Sequence, residues 1–163
     1  MPLLINQKLV ENDPWLTIDP ETLAESAELP AGDLILPFAY YQQHADQLNA
    51  RAGGVAVTVN GDDDLAALYA IADRFPLVAV EFPVFRDGRG FSIARQLVRA
   101  GFKGQIRAVG DVARDRLAYM ESSGFNAFQI PEARFSSDDL RAFTEISVNY
   151  QGTATDPRPI FRR

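Results

Sequence analysis

The strongest constraint on the fold is a regular alternation of short apolar runs with stretches long enough for one helix. The runs begin near residues 34, 55, 77, 105 and 126, so successive starts are 21, 22, 28 and 21 residues apart. Apolar strands that alternate with amphipathic helices are typical of a parallel sheet with right-handed crossovers. We therefore expect an α/β fold with about five parallel strands, at 34–37, 55–59, 77–82, 105–109 and 126–130.

Two architectures satisfy this alternation, an open flavodoxin-like sheet and a partial (β/α) barrel. Both place ligands at the carboxyl ends of the strands. The chain has 163 residues, too few for a complete eight-unit barrel of ~250 residues. An open doubly wound sheet has helices on both faces, which disfavours a charged side chain within a strand. Arg107 lies in the middle of the fourth predicted strand and so favours the partial barrel.

We expect a single domain, as is usual for a chain of this length. This domain has three parts. Residues 1–32 contain short strand-like runs broken at Asn6-Gln7 and Asn12-Asp13-Pro14, which predict an N-terminal β-hairpin flap. Residues 33–149 form the β/α core. Residues 150–163 form a C-terminal tail that wraps the domain, reaches a neighbouring subunit or is a frayed terminus. The helices of the core are expected over about 40–52, 63–74, 91–100, 111–123 and 136–149.

Charge is distributed unevenly along the chain. The formal net charge is −6, yet residues 86–116 contain eight basic and three acidic side chains, a local charge of +5. The overall negative charge argues against nucleic acid as a partner. The basic segment has two interpretations: a surface that attracts a small anion or an acidic partner, or helices whose arginines are simply solvated.

Polar residues collect where the predicted strands end. Glu81 and Asp111 lie at the ends of the third and fourth strands, and ligand-binding groups of parallel α/β folds come from these ends. Either carboxylate is therefore a candidate catalytic acid–base group. The loop after the third strand is the longest strand-to-helix connection, and with the basic segment around it this loop predicts an anion site. The candidate anion-binding residues are Arg86, Arg89, Gly90, Ser92, Arg107 and Arg114.

Arg107 needs a partner, because an unpaired buried charge is costly. Strand alternation places its side chain on the face opposite Ile106 and Ala108. We expect either an ion pair with Glu81 or a position in a polar cleft. Ser92 is expected to cap the helix that follows the loop, or to donate a hydrogen bond to a ligand oxygen.

Several kinds of site lack the residues they require. The chain has no cysteine and one histidine, His44, which argues against thiol chemistry and Ser–His nucleophiles. The Gly88–Gly90 pair lacks the third glycine of a dinucleotide fingerprint, and there is no Walker phosphate loop. The Asp62-Asp63-Asp64 run is expected to offset a helix dipole rather than to bind a metal. We therefore expect no cofactor and no metal.

A long central stretch and the chain ending carry a family resemblance. The stretch is "AVEFPVFRDGRGFSIARQLVRAGFKGQIRAVGDVARDRLAYMESSGFNAFQI" and the ending is "YQGTATDPRPIFRR". Both resemble an uncharacterised bacterial family catalogued as domain of unknown function 934. The resemblance implies a bacterial protein encoded beside genes of assimilatory sulfite reduction, with no established catalytic residues. Many members have a cysteine just before the Gly-Phe that matches Gly124-Phe125, whereas this chain has Ser123 there.

From the resemblance and the basic segment we expect an accessory protein of assimilatory sulfite and sulfate reduction. It would bind a small oxyanion, or an acidic face of the sulfite reductase system, through its basic strand-end surface. One alternative is a small α/β enzyme that acts on an anionic metabolite through Glu81 or Asp111, so enzymatic activity stays open. Another is a structural homodimer built through the flap and the tail.

The same sequence predicts a cytoplasmic protein without membrane contact. No apolar run approaches the ~20 residues of a membrane span. The first residues show no basic segment followed by a long apolar core, so no signal peptide is expected.

Overall fold

The computed structural model describes residues 1–25 and 28–162. Its framework is one eight-stranded sheet with the order β2-β1-β8-β7-β6-β5-β4-β3. The strands are β1 (Leu3–Ile5), β2 (Lys8–Val10), β3 (Trp15–Thr17), β4 (Asp33–Pro37), β5 (Val55–Val59), β6 (Leu77–Phe82), β7 (Gln105–Gly110) and β8 (Ala127–Gln129). Strands β3 to β8 pair in parallel, whereas β1 is antiparallel to both β2 and β8. Residues 26, 27 and 163, which fall in the predicted flap and tail, lie outside the described residues.

Helices fill the connections between the parallel strands. The α-helices are α1 (Pro20–Glu25), α2 (Phe38–Ala50), α3 (Leu65–Ile71), α4 (Arg89–Arg99) and α5 (Leu117–Ser123). Short 3-10 helices lie at Ala72–Arg74, Arg114–Arg116, Glu132–Arg134, Ser137–Phe143 and Ile160–Arg162. Among the described helices, none is long and apolar enough to cross a membrane.

The helix predicted over 136–149 is wrong in both type and length. Ser137–Phe143 forms a 3-10 helix, and Ser136 caps it in a reciprocal arrangement with Asp139. Beyond it, Ile146 and Val148 are exposed. An α-helix extended over these β-branched residues would have no apolar face packed against the core, and packing supplies most of a helix's stability.

Helix α4 begins two residues earlier than predicted. Gly88 is the N-cap and Arg89 the first helical residue, so Ser92 lies within the helix and does not cap it. Gly90 packs against the sheet: a Cβ atom at this position would lie 2.6 Å from Cζ of Phe82. The glycine therefore allows the start of α4 to lie directly on β6.

The strand order distinguishes between the two predicted architectures. Strands β4 to β8 follow one another in chain order across the sheet, so right-handed crossovers place all of their helices on the same face. A flavodoxin-like sheet changes direction and has helices on both faces. The fold is thus a mixed α/β half-barrel, with more strands than the five predicted parallel ones and with antiparallel pairing at one edge.

The predicted N-terminal flap is divided between the two edges of the sheet. The β1–β2 hairpin forms as expected, but it pairs through β1 with β8. Strand β3, expected in the same flap, instead pairs in parallel with β4 at the opposite edge. The flap is therefore not a separate unit, because both of its parts complete the main sheet.

The short link between β2 and β3 requires the sheet to curl. Residues 11–14, here called the strap, join two strands at opposite edges of the sheet. A flat sheet of eight strands would separate these edges by ~34 Å, whereas the five residue steps from Val10 to Trp15 reach at most ~18 Å. The two edges must therefore approach each other, and the strap crosses the concave side between them.

The two faces of the curled sheet have different surroundings. On the convex face, strand residues such as Val57, Val80 and Phe82 join residues of α2 to α5 in the main hydrophobic core. On the concave face, buried apolar residues form only a small separate cluster without helical residues: Ile35, Ala56, Leu77 and Ala79. The concave face is thus the part of the sheet that is left available for a site.

Candidate functional site

A cavity of about 570 Å³ lies on the concave side, at the carboxyl ends of the parallel strands. Its volume is in the range of small-molecule sites, roughly 300–1,000 Å³. Polar and apolar side chains both contribute to its wall. The lining residues are Met1, Thr17, Ile18, Asp19, Pro20, Pro37, Thr58, Val59, Asn60, Asp63, Ala79, Glu81, Val109, Gly110 and Gln129.

Strand alternation explains which residues reach the cavity. Ala79 and Glu81 of β6 line the cavity. Val80 and Phe82, which alternate with them along the strand, belong to the core on the convex face. The parallel register places Glu81 beside Val109 of β7, which also lines the cavity. Side chains of the same parity on adjacent parallel strands therefore form one continuous wall.

Glu81 is the predicted acid–base residue that the structure places in this wall. Its side chain is half-buried, and its Oε2 accepts a long hydrogen bond of 3.4 Å from Nδ2 of Asn60. Asn60 is held by its own loop: its backbone N–H donates to Asp63 Oδ2 at 2.8 Å, and its Oδ1 accepts from the backbone of Asp62 at 2.9 Å. A half-buried carboxylate with one long hydrogen bond is well placed to bind a ligand proton or cation.

Asp111, the second predicted acid–base residue, does not line the cavity. Its backbone N–H donates to Phe82 O at 2.8 Å, and its carboxylate forms an ion pair with Arg134. The structure therefore does not bring Glu81 and Asp111 together around one reacting group.

Arg107 lies on the concave face, as strand alternation predicts, but its partner is not Glu81. The side chain is 1% exposed, and its two terminal nitrogens donate to Asp13 at 2.6 and 3.2 Å. The expected Glu81–Arg107 pair is wrong because Arg107 is level with Ala79, and Glu81 lies two residues further toward the end of β6. The strap carries Asp13 across the concave side to supply the second charge.

Arg89 is bound between two strand-end loops. It donates to Asp62 at 2.7 Å and to both carboxylate oxygens of Asp87 at 3.0 and 2.8 Å. These bonds lower the pKa of Asp87 to about 2 and raise the pKa of Arg89. The Arg89 side chain lies directly against Gly61, where a Cβ atom would overlap it. Arg89 therefore links the loop after β5 to the loop after β6.

The other predicted anion-binding residues lie in separate surroundings. Arg114 forms ion pairs with Asp138 and Glu145, and hydrogen bonding to Asp138 is the main cause of its raised pKa. Gly90 is buried against Phe82, while Arg86 and Ser92 are exposed. The structure does not gather these groups around one space, and three of the four arginines already have carboxylate partners.

Two arginine environments were not predicted. The first is the Asp13 partner of Arg107, for which no local pattern exists because the two residues are 94 positions apart. The second is Arg116, whose side chain is buried with its guanidinium 4.9, 4.9 and 5.0 Å from the rings of Phe82, Phe85 and Phe91. Such cation–π contacts connect residues far apart in sequence, so their only signal is the high arginine content of the segment.

The charge of the cavity wall is negative. Asp19, Asp63 and Glu81 contribute carboxylates, and no lysine, arginine or histidine is found among the described lining residues. Two of the predicted anion-binding arginines, Arg89 and Arg107, are bound to carboxylates. Within residues 1–25 and 28–162, the acidic groups do not form a cluster of three that could hold a metal ion. The wall therefore favours a neutral or positively charged organic ligand over an anion.

Comparison with known proteins identifies the family of the chain. No curated protein and no solved structure matches the chain. The model of one family, described as bacterial protein of unknown function (DUF934), matches residues 56–161. The matched region begins in β5, includes Glu81, α4, Arg107 and most of the C-terminal tail, and covers more than half of the sequence. The chain therefore belongs to this DUF934 family.

Proposed function

We propose that the protein binds a small organic molecule in the concave cavity and that Glu81 is its recognition and acid–base group. The observation that carries the proposal is the half-buried carboxylate of Glu81 in the wall of a 570 Å³ cavity at the strand ends. The carboxyl ends of the strands are where α/β barrels place their active sites. Asn60 supports one oxygen of Glu81, which leaves the other oxygen to accept a ligand proton.

The ligand is neutral or positively charged, which differs from the anionic metabolite expected from the sequence. Three carboxylates line the cavity without a basic residue among the described lining residues. An anion would therefore meet three carboxylates and no lysine, arginine or histidine side chain among the described lining residues. The apolar part of the wall, formed by residues such as Ile18, Val59 and Val109, suits a carbon skeleton of a few atoms or one ring.

Three compounds of nearly equal shape separate these possibilities: benzylamine, benzyl alcohol and benzoate. We expect benzylamine to bind most tightly and benzoate not to bind, as measured by calorimetry and by electron density in soaked crystals. Glu81→Gln should weaken benzylamine binding roughly tenfold, because a charge-assisted hydrogen bond is worth about 1.5–3 kcal/mol. Benzyl alcohol should lose much less, since its interaction with Glu81 is not between two charges.

Asp111→Asn is the matched control for this experiment. Asp111 is also a strand-end carboxylate, but it is engaged with Arg134 outside the cavity wall. Its replacement should leave benzylamine affinity unchanged. Equal binding by Glu81→Gln and the unmodified protein, or benzoate bound in the cavity, contradicts the proposal.

A small-oxyanion site is the less favoured proposal. Arg89, Arg107 and Arg114 each have carboxylate partners within the chain, so an added anion would have to compete with them. Thermal melting with sulfite, sulfate or phosphate should show no specific stabilisation. A shift produced by sulfite alone, and lost in Arg89→Gln, would favour the role in sulfite assimilation that the family resemblance implies.

A further inference from the structure

The eight basic residues of segment 86–116 divide into two groups in the structure. Arg89, Arg107 and Arg114 bind carboxylates, and Arg116 is buried among aromatic rings. The other four are exposed, and none of them forms an ion pair with a described residue: Arg86, Arg95, Arg99 and Lys103. The excess positive charge of the segment is therefore concentrated in these four side chains.

Two of the four lie on the exposed face of α4. Arg95 and Arg99 are separated by one helical turn, while Ile93, Ala94 and Leu97 bury the opposite face. Helix α4 contains no Asp or Glu, so no residue of the helix offsets the repulsion between these two like charges. Such a pair is unfavourable in isolation, and carboxylates from a partner would neutralise it.

Exposed aromatic side chains adjoin these arginines. Phe85 and Tyr119 are each 57% exposed. The Arg116 guanidinium lies 4.9 Å from the Phe85 ring and 5.0 Å from the Phe91 ring, and the Phe91 ring lies 4.8 Å from that of Tyr119. Phe91 precedes Arg95 by four residues and so shares its side of the helix. The aromatic rings and the unpaired arginines therefore form one surface.

We propose that this surface docks an acidic protein segment that carries an apolar side chain beside its carboxylates. The docking face consists of Phe85, Arg86, Phe91, Arg95, Arg99 and Tyr119. Exposed aromatic residues and arginines are the side chains most enriched at the centres of protein interfaces. The buried Arg116 stack holds Phe85 and Phe91 in place, which lowers the entropy lost on binding.

Charge favours a short acidic segment over a nucleic acid as the occupant. Only four unpaired cations are available in the segment, and the whole chain has a net charge of −6. An extended phosphate backbone would meet repulsion beyond the docking face. A segment with a few carboxylates and an apolar anchor matches the local cations and rings without extending further.

Selection from a random dodecapeptide display library tests the proposal. The intact chain is compared with two double variants of equal net charge, Arg95→Glu/Arg99→Glu and the control Lys8→Glu/Arg74→Glu, whose positions are exposed outside the docking face. The unmodified chain and the control should enrich peptides that combine several acidic residues with an aromatic or large aliphatic residue. The enriched peptides should bind the Arg95→Glu/Arg99→Glu variant roughly tenfold or more weakly, by fluorescence anisotropy.

Two further measurements keep the result interpretable. Phe85→Ala should weaken the same peptides with only a small fall in melting temperature, because Phe85 is 57% exposed and its main contact is with Arg116. Glu81→Gln should select the same peptides, since the cavity and the docking face are separate. No acidic enrichment, or equal binding by the Arg95→Glu/Arg99→Glu variant, overturns the proposal.

Two other occupants would also overturn it. Tighter binding of oligothymidine than of any selected peptide, lost in Arg95→Glu/Arg99→Glu, would assign the face to nucleic acid. A dimer seen by light scattering that is lost in the same variant would assign it to a second copy of the chain.

Discussion

The convex and concave faces of the sheet are built from alternate residues of the same strands, yet they perform different tasks. The convex face buries large side chains such as Phe82 and Phe128 against the helices. The concave face has a small cluster of apolar residues, the Arg107–Asp13 ion pair and a cavity lined by Glu81. Stability therefore depends mainly on one face, and the other is free to carry polar groups.

The strap makes this division possible. Residues 11–14 cross the concave side, and Asp13 neutralises the buried Arg107. An arginine within a strand is thus tolerated because the chain itself supplies its counter-charge from outside the sheet.

The largest expected effect comes from the convex face. Phe82→Ala removes a fully buried ring that contacts Phe91, Phe125 and Arg116. We expect the free energy of unfolding to fall by about 4 kcal/mol in urea titrations, because large-to-small changes leave a cavity in a close-packed core. The exposed Phe85, replaced by Ala, is the control and should change it by less than about 1 kcal/mol. Equal effects at the two positions would contradict the assignment of the core to the convex face.

The next effect tests the concave face through its ion pair. Asp13→Ala leaves the Arg107 guanidinium, 1% exposed, without its partner. We expect a loss of about 3 kcal/mol in the same titrations, since an unpaired buried charge is strongly destabilising.

The double variant Asp13→Ala/Arg107→Met distinguishes an unpaired charge from a lost strap contact. It removes both charges and should recover part of the stability lost by Asp13→Ala alone. A double variant no more stable than Asp13→Ala would show that the strap, and not the unpaired guanidinium, accounts for the loss.

The parts of the fold that local patterns describe could be predicted from the sequence. The apolar runs of β4 to β8 are long enough to stand out, and alternation correctly assigned Arg107 to the face opposite Ile106. Strand β3 was missed as part of the sheet because a three-residue edge strand has little pattern of its own, and its pairing with β4 depends on the curl.

The candidate site was predictable only where it follows from topology. The carboxyl ends of parallel strands lie on the same side of the sheet, so the sequence alone could place Glu81 near the site. Ion-pair partners could not be assigned in this way. The arginines and their carboxylate partners are far apart in sequence, and only the folded chain brings them together. The separations are 27 positions for Arg89–Asp62, 94 for Arg107–Asp13 and 24 for Arg114–Asp138.

The smallest expected effect concerns the ion pair between Arg89 and Asp87, which is more exposed than the Arg107–Asp13 pair of the concave face. Hydrogen bonds from Arg89 lower the pKa of Asp87 to about 2, whereas an unfolded Asp titrates near ~3.9. A lowered carboxyl pKa adds stability that is complete above the unfolded value and disappears as the pH falls through the folded value.

The melting temperature of the unmodified protein should therefore fall more steeply between about pH 4 and pH 2 than that of Asp87→Asn, so that the two curves converge. Asp73→Asn, at an exposed position, is the control for the loss of one surface carboxylate. Parallel curves for Asp87→Asn would mean that the Arg89 link between the two loops contributes nothing in solution, as many exposed ion pairs do.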